Sequence, residues 1–132
     1  MKLEIRDIKY LKPIRYNPSD IDKYRIAICI QGDGADYIYL PNKEYYRGDY
    51  REEIPKLLRQ YPKEKIYAYD PISGQAWILS KRIVLKALEE ELHEIEEDIK
   101  KWSKRKSKTA KMLVEALERS KNKLLKIIED LE

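Results

Sequence analysis

The sequence predicts an α+β fold: a small antiparallel sheet of four or five strands in two hairpins, with one short helix, followed by a C-terminal helical hairpin or one long coiled-coil-like helix. Three observations carry this. All eleven tyrosines lie at or before Tyr69, and no Gly or Pro follows Gly74. Two stretches of the first part alternate with the period-two pattern of strands. Beyond Ser80 the apolar residues recur every three or four positions, the period of a helix. The change near residue 80 divides the chain into a sheet part, 1–80, and a helical segment, 81–132, that completes one compact unit or serves as a dimerisation arm.

The opening "KLEIRDIKYL" reads as a strand, and "YNPSDIDKY" as a turn or single helical turn, since Asn17 before Pro18 is a cap-like pair. In "KYRIAICIQ", Ile26, Ile28 and Ile30 share one face, with Ala27, Cys29 and Gln31 on the other. "QGDGAD" supplies a turn, and "YIYL" places Ile38 and Leu40 opposite Tyr37 and Tyr39. Strand, Gly-containing loop and strand make a hairpin. "KIYAY", the turn "DPISGQ" and "AWILS" make a second. Between them, "DYREEIPKLLRQY" sets Asp49 three residues before Glu52, a capping-box pattern. Pro55 predicts that this helix is short or kinked.

Ser80 is a permissible N-cap for the helical segment. Leu85, Leu88, Leu92, Ile95, Ile99 and Trp102 then form a seam spaced 3-4-3-4-3. Ala110, Leu113, Leu117, Ser120, Leu124, Ile127 and Leu131 form a second, spaced 3-4-3-4-3-4. The two are out of phase by one residue, because a heptad step from Trp102 reaches Thr109 rather than Ala110. A turn near Ser103 to Ser107, with the seams facing each other, accounts for the slip and is the favoured reading. A single helix with a local phase adjustment is the alternative. It is supported by the lack of Gly, Pro or Asn between residues 100 and 121.

Composition bounds the function. The 132 residues carry 28 Lys and Arg against 24 Asp and Glu, a net charge of +4. That mild excess supports nucleic-acid binding only where it is concentrated. No apolar run approaches the roughly 20 residues that span a bilayer, so no membrane partner is expected. The charged start "MKLEIRDIKY" lacks the apolar stretch of a signal peptide, which predicts an intracellular, cytoplasmic protein. The single Cys29 excludes an internal disulfide and reads as a buried, inert thiol. Abundant Lys and Glu, with six Asn and Gln in all, point to a thermophilic source.

The charge pattern of the helices is their most specific feature. Residues 89–98, "EEELHEIEED", hold seven acids and no Lys or Arg; residues 100–111, "KKWSKRKSKTAK", hold seven bases and no acid. Such blocks complement each other across an antiparallel contact between two copies centred near Ile99 and Lys100, which predicts a homodimer. The competing use is phosphate neutralisation by Lys100, Lys101, Lys104, Arg105, Lys106, Lys108 and Lys111 on DNA or RNA. Trp102 is expected to pack at the helix end. Tyr37, Tyr39, Tyr67, Tyr69 and Trp77 form an aromatic sheet face able to stack single-stranded bases, although packing beneath the C-terminal helices is the stronger expectation for it.

No catalytic constellation stands out. "QGDGAD" lacks both the Walker and the dinucleotide-binding glycine patterns. Asp33, Asp36 and Asp70 would suit Mg²⁺ by chemistry, yet nothing in their spacing demands it. His93 lies among Glu89, Glu90 and Glu97, as an exposed histidine on an acidic helix would. Ser73 lacks a nucleophile elbow. The expectation is therefore a non-enzymatic binding protein without cofactor or metal, with nucleic acid as the leading ligand. A protein-interaction module, such as an inhibitor or adaptor from a virus or mobile element, is the alternative. A metal-dependent nuclease comes third.

Overall fold

A computed structural model describes residues 2–32 and 36–132. The strands are β1 (Ile14–Arg15), β2 (Ile26–Cys29), β3 (Asp36–Tyr39), β4 (Tyr45–Gly48), β5 (Ile66–Asp70) and β6 (Gln75–Leu79). The helices are α1 (Tyr50–Gln60), α2 (Lys81–Ser103) and α3 (Lys108–Leu131). The fold is α+β with two long C-terminal helices. Its sheet has six strands in the order β1-β6-β5-β2-β3-β4. It is mixed rather than antiparallel, because β2 and β5 pair in parallel, Ile26 with Ile66 through Cys29 with Tyr69. Both expected hairpins form, β2 with β3 and β5 with β6. The parallel pair joins strands separated by β3, β4 and α1. A helical crossover of this kind returns the chain in the same direction, and it leaves no local turn signal in the sequence.

Two further strands depart from expectation. β4 escapes a hydrophobicity reading because it is an edge strand whose Tyr45, Tyr46 and Arg47 are all exposed. The opening segment is not a strand. It makes a 3-10 turn at Ile5–Asp7 and buries Leu3, Ile5 and Ile8, a spacing that does not keep to one face of a pleat. Only Ile14–Arg15 pairs, with β6. The Asn17–Pro18 pair does open a 3-10 helix, Pro18–Lys23, in which the Asn17 side chain accepts from the Ser19 N–H at 3.1 Å. The turn expected at "QGDGAD" falls partly on Asp33, Gly34 and Ala35, outside the described residues.

Asp49 caps α1 by accepting from the Arg51 N–H at 3.0 Å. The helix runs through Pro55, which is buried. A proline there cannot donate to the carbonyl four residues back. That carbonyl, on Arg51, accepts instead from the Leu3 N–H at 2.7 Å, so the opening segment supplies the bond that proline removes. Ser80 caps α2 and Ser107 caps α3, accepting from the N–H of Ile83 and Ala110 at 3.1 Å each. The chain reverses through residues 104–107, so the seams meet in a helical hairpin. A serine cap thus opens the returning helix where Gly, Pro and Asn are absent.

All three helices lie on the isoleucine face of the sheet. Ile26, Ile28, Ile30, Ile38, Ile66 and Leu79 are buried there against Ile54, Leu57 and Leu58 of α1, Val84, Ala87 and Leu88 of α2, and Leu124, Ile128 and Leu131 of α3. Full burial of each such Ile, Leu or Val side chain is worth about 1.5–3 kcal/mol. The hairpin is thus anchored by the first turns of α2 and the last turns of α3. At about 1.5 Å per residue each helix is roughly 35 Å long, and its distal part packs mainly on the other. In α3 the packed stripe is Ala110, Val114, Leu117, Leu124, Ile128 and Leu131. It shares Ala110, Leu117, Leu124 and Leu131 with the expected seam, while Leu113 and Ser120 are exposed and Ile127 is half-buried beside the core. A 4-3 step from Ala110 is the other way of reading the same near-heptad spacing.

The expectation that the tyrosine face packs beneath the helices is overturned. That face is the opposite one, partly covered by residues 14–25. Trp77 does not belong to it, because Trp77 pairs with Ala68, and Ala68 with Ile28. Directly paired residues share a face, which places Trp77 on the helix side.

Candidate nucleic-acid interface

The hairpin turn collects the basic block at one tip. Lys100 and Lys101 occupy the last turn of α2, Lys104, Arg105 and Lys106 the turn itself, and Lys108 and Lys111 the first turn of α3. All seven are exposed. Among the described residues one of them is ion-paired, Lys100 with Glu97 at 3.7 Å. Trp102 is half-buried at the end of α2, with the Arg105 guanidinium 4.5 Å from its ring centroid and the Lys101 ammonium at 5.9 Å. Lys100 and Lys101 complement the negative end of the α2 dipole, whereas Lys108 and Lys111 oppose the positive end of α3. No acid stands in the first turn of α3 to compensate. Helix stability therefore accounts for Lys100 and Lys101 but not for Lys108 and Lys111.

The acidic block lies along the middle of α2. Glu94 accepts from Lys9 Nζ at 2.6 Å and from the Tyr10 hydroxyl, and the Lys9 bond holds its carboxyl below the usual range. Burial raises the Glu91 carboxyl, helped by Asp7 and Glu94 nearby. Glu89, Glu90, His93 and Glu97 line a shallow groove beside Tyr10. Among the described residues no group of three or more His, Cys, Asp or Glu is placed to hold a metal ion. Of the carboxylates considered for Mg²⁺, Asp36 is buried and accepts from the N–H groups of Gln31 and Tyr50 at 3.2 and 2.8 Å, tying β3 to the start of α1. Asp70 accepts from the N–H groups of Ile72 and Ser73 within the β5–β6 turn. Asp33 lies outside the described residues. No helix among the described residues is long and apolar enough to cross a membrane.

Tyr37, Tyr39, Tyr67 and Tyr69 do share one sheet face. Sequence reasoning missed their partners on it. Tyr24 stacks on Tyr67 with centroids 5.1 Å apart, Tyr16 stacks on Tyr69 at 5.2 Å, and Tyr45 stacks on Tyr37 at 4.8 Å. No local signal pointed to them, since stacking between rings distant in sequence leaves no period. Cys29 lies in the floor of this face, where burial pushes its thiol up from the ordinary value. It is a buried packing residue.

Fold and site together define a small α+β protein with a helical hairpin over one sheet face and a cationic tip. Comparison with protein-family models, with curated proteins and with solved structures finds no match for this chain.

Proposed function

We propose that this chain is a non-enzymatic nucleic-acid-binding protein that grips the phosphate backbone with the tip of its α2–α3 hairpin. The observation that supports this most directly is the gathering of seven exposed cations, one of them ion-paired, at a turn where two oppose the local helix dipole. Contact there is electrostatic and independent of base sequence, with release of counterions as the driving term. The hydroxyls of Ser103, Ser107 and Thr109 are interspersed, but two are already committed. Ser103 donates to the Ile99 carbonyl at 2.6 Å, and Ser107 caps α3. Binding thus rests on the Lys and Arg side chains.

The test is binding of labelled duplex DNA and RNA as salt is raised from about 50 to about 200 mM. Four to six phosphate contacts give a log–log slope of roughly −4 to −5. Lys104→Glu, Arg105→Glu and Lys106→Glu together should lower affinity by well over tenfold while leaving thermal unfolding nearly unchanged. Absence of binding, or a flat salt response, overturns the reading. A second reading, contact with a protein or a second copy, is favoured by Met112 and Leu113, which remain 63% and 36% exposed beside the tip. Sedimentation over a concentration series, repeated with Met112→Glu, separates the two.

A further inference from the structure

The face of the sheet turned away from the helices is uneven by construction. On β2 it carries the small residues Ala27 and Cys29; on the flanking strands it carries tyrosines, Tyr37 and Tyr39 on β3, Tyr67 and Tyr69 on β5. Small side chains between tall ones make a trough that follows β2. Its two walls differ. On the β5 side the rings are locked into a continuous stack, Tyr24 on Tyr67 on Tyr69 on Tyr16, with successive centroids 5.1–5.8 Å apart. On the β3 side Tyr45 stacks on Tyr37 and meets the edge of Tyr39 at 5.8 Å, and Tyr39 and Tyr45 stay 38% and 51% exposed. The trough is open as two separate hollows that share Tyr39 in their lining, one of about 310 Å³ over Cys29 and one of about 460 Å³ over Ala27.

Cations mark the open wall. The Arg47 guanidinium lies 5.9 Å from the Tyr37 centroid. Lys43 lines the Ala27 end and sits in the β3–β4 turn with φ of 58°, a left-handed conformation that side-chain-bearing residues rarely adopt. Lys23 and Arg25 line the same end but are paired with Asp20 and Glu64, and Asp22 is the one acid in the lining. No buried side-chain donor or acceptor among the described residues lacks a partner. The trough therefore offers flat aromatic faces and positive charge, and no unpaired buried polar side chain with which to read a base edge.

We infer that this trough is a stacking site for single-stranded nucleic acid, with bases against Tyr39 and Tyr45 and the backbone beside Lys43 and Arg47. The inference rests on the nucleic-acid reading of the hairpin tip but uses a different surface. Stacking on aromatic rings tolerates any base, since every base has a π-face. A duplex keeps its bases stacked on each other and cannot present them here, so the trough discriminates single strands where the tip does not. Tyr39 and Tyr45 already have partners on one side, which fixes the rings in place before a ligand arrives.

The experiment uses the full chain carrying Lys104→Glu, Arg105→Glu and Lys106→Glu, so that the tip is silent. Binding of fluorescein-labelled tetrathymidylate and tetrauridylate is followed by anisotropy, with near-ultraviolet circular dichroism as the check on folding. Tyr39→Ala and Tyr45→Ala should each weaken binding about tenfold, within the range for loss of one stacked base, and Tyr45→Phe should retain it. Lys43→Asn keeps a residue suited to the left-handed turn and should reduce the salt slope by about one. The two probes distinguish DNA from RNA as the source. Unchanged affinity in the tyrosine variants, equal binding of a stable duplex of about 12 base pairs, or displacement of the tetramer by a neutral tetrasaccharide overturns the inference. If the unmodified chain then still binds duplex with a steep salt slope, the hairpin-tip reading survives that failure. If duplex binding is absent but the tyrosine-dependent tetramer binding persists, the trough stands without it.

Discussion

The two faces of the sheet are built from alternate residues of the same strands, yet they are finished by different means. The helix-covered face is aliphatic: Ile26, Ile28, Ile38 and Ile66 are at most 2% exposed beneath three helices. The other face is made of tyrosine, and its cover is a stretch of about a dozen residues holding Tyr16, Ile21 and Tyr24. Isoleucine gains only by exclusion of water, so its face demands complete cover. Tyrosine packs its ring while its hydroxyl meets water or a polar neighbour, so its face can be half open. At Tyr67, which is fully buried, the hydroxyl accepts from the Asn17 N–H at 3.2 Å. At Tyr39 and Tyr45 the rings remain in contact with solvent. One face is closed to solvent, and part of the other stays open to it.

Substitutions should rank the two faces. Leu58→Ala, beneath the helix-covered face and 0% exposed, should cost about 2–5 kcal/mol in urea unfolding. Tyr67→Phe removes little volume from the covered part of the tyrosine face but both hydrogen bonds of the hydroxyl with the Asn17 backbone, one accepted and one donated, and should cost about 1–2 kcal/mol. Tyr45→Ala, on the open part, should stay within about 0.5 kcal/mol. A cost near that of Leu58→Ala would mean that the open tyrosines hold the fold together and are not spared for binding.

The smallest effect concerns pH and the polar ties around the helix-covered core. Asp49 is held below the ordinary carboxylate range chiefly by hydrogen bonding to the Arg51 side chain, and Glu94 by Lys9 and then Tyr10. Because the folded values are depressed, the native state binds fewer protons than the unfolded chain in that range. Their contribution is therefore present above the ordinary carboxylate pKa of about 4 and is lost as pH falls through the depressed values. Asp36 acts in the opposite sense. Burial raises its carboxyl, so protonation favours the native state between the ordinary value and the raised one. Asp49→Asn with Glu94→Gln should flatten the acid limb of urea midpoints measured between about pH 2 and pH 6, and an unchanged limb would assign acid sensitivity to other groups.

Features set by neighbours along the chain were legible in the sequence. The caps at Asn17, Asp49 and Ser80 act within two or three residues of themselves, whereas the Ser107 cap emerged only with the turn. The alternation in "RIAICI" and "YIYL" sorted isoleucine from tyrosine because a strand's period is two. The phase slip between the helical seams marked the turn. The basic block was visible as composition, and the hairpin turned it into a tip. The β4 edge was not legible, since exposed strands have no buried face to impose a pattern. The partners Tyr16, Tyr24 and Tyr45 were invisible for a related reason: stacking between rings distant in sequence leaves no local period.

By itself, then, the sequence determined the division near residue 80, the Ser80 cap and the charge blocks of the helices, and which residues of β2 and β3 share a face. Tertiary structure alone decided that β5 runs parallel beside β2, that the helices cover isoleucine rather than tyrosine, and that Trp77 joins the helix side through its pairing with Ala68. The physical reason is register. Alternation fixes the relative side of residues within one strand, but a shift of one residue between strands exchanges the faces, and only long-range pairing sets that shift.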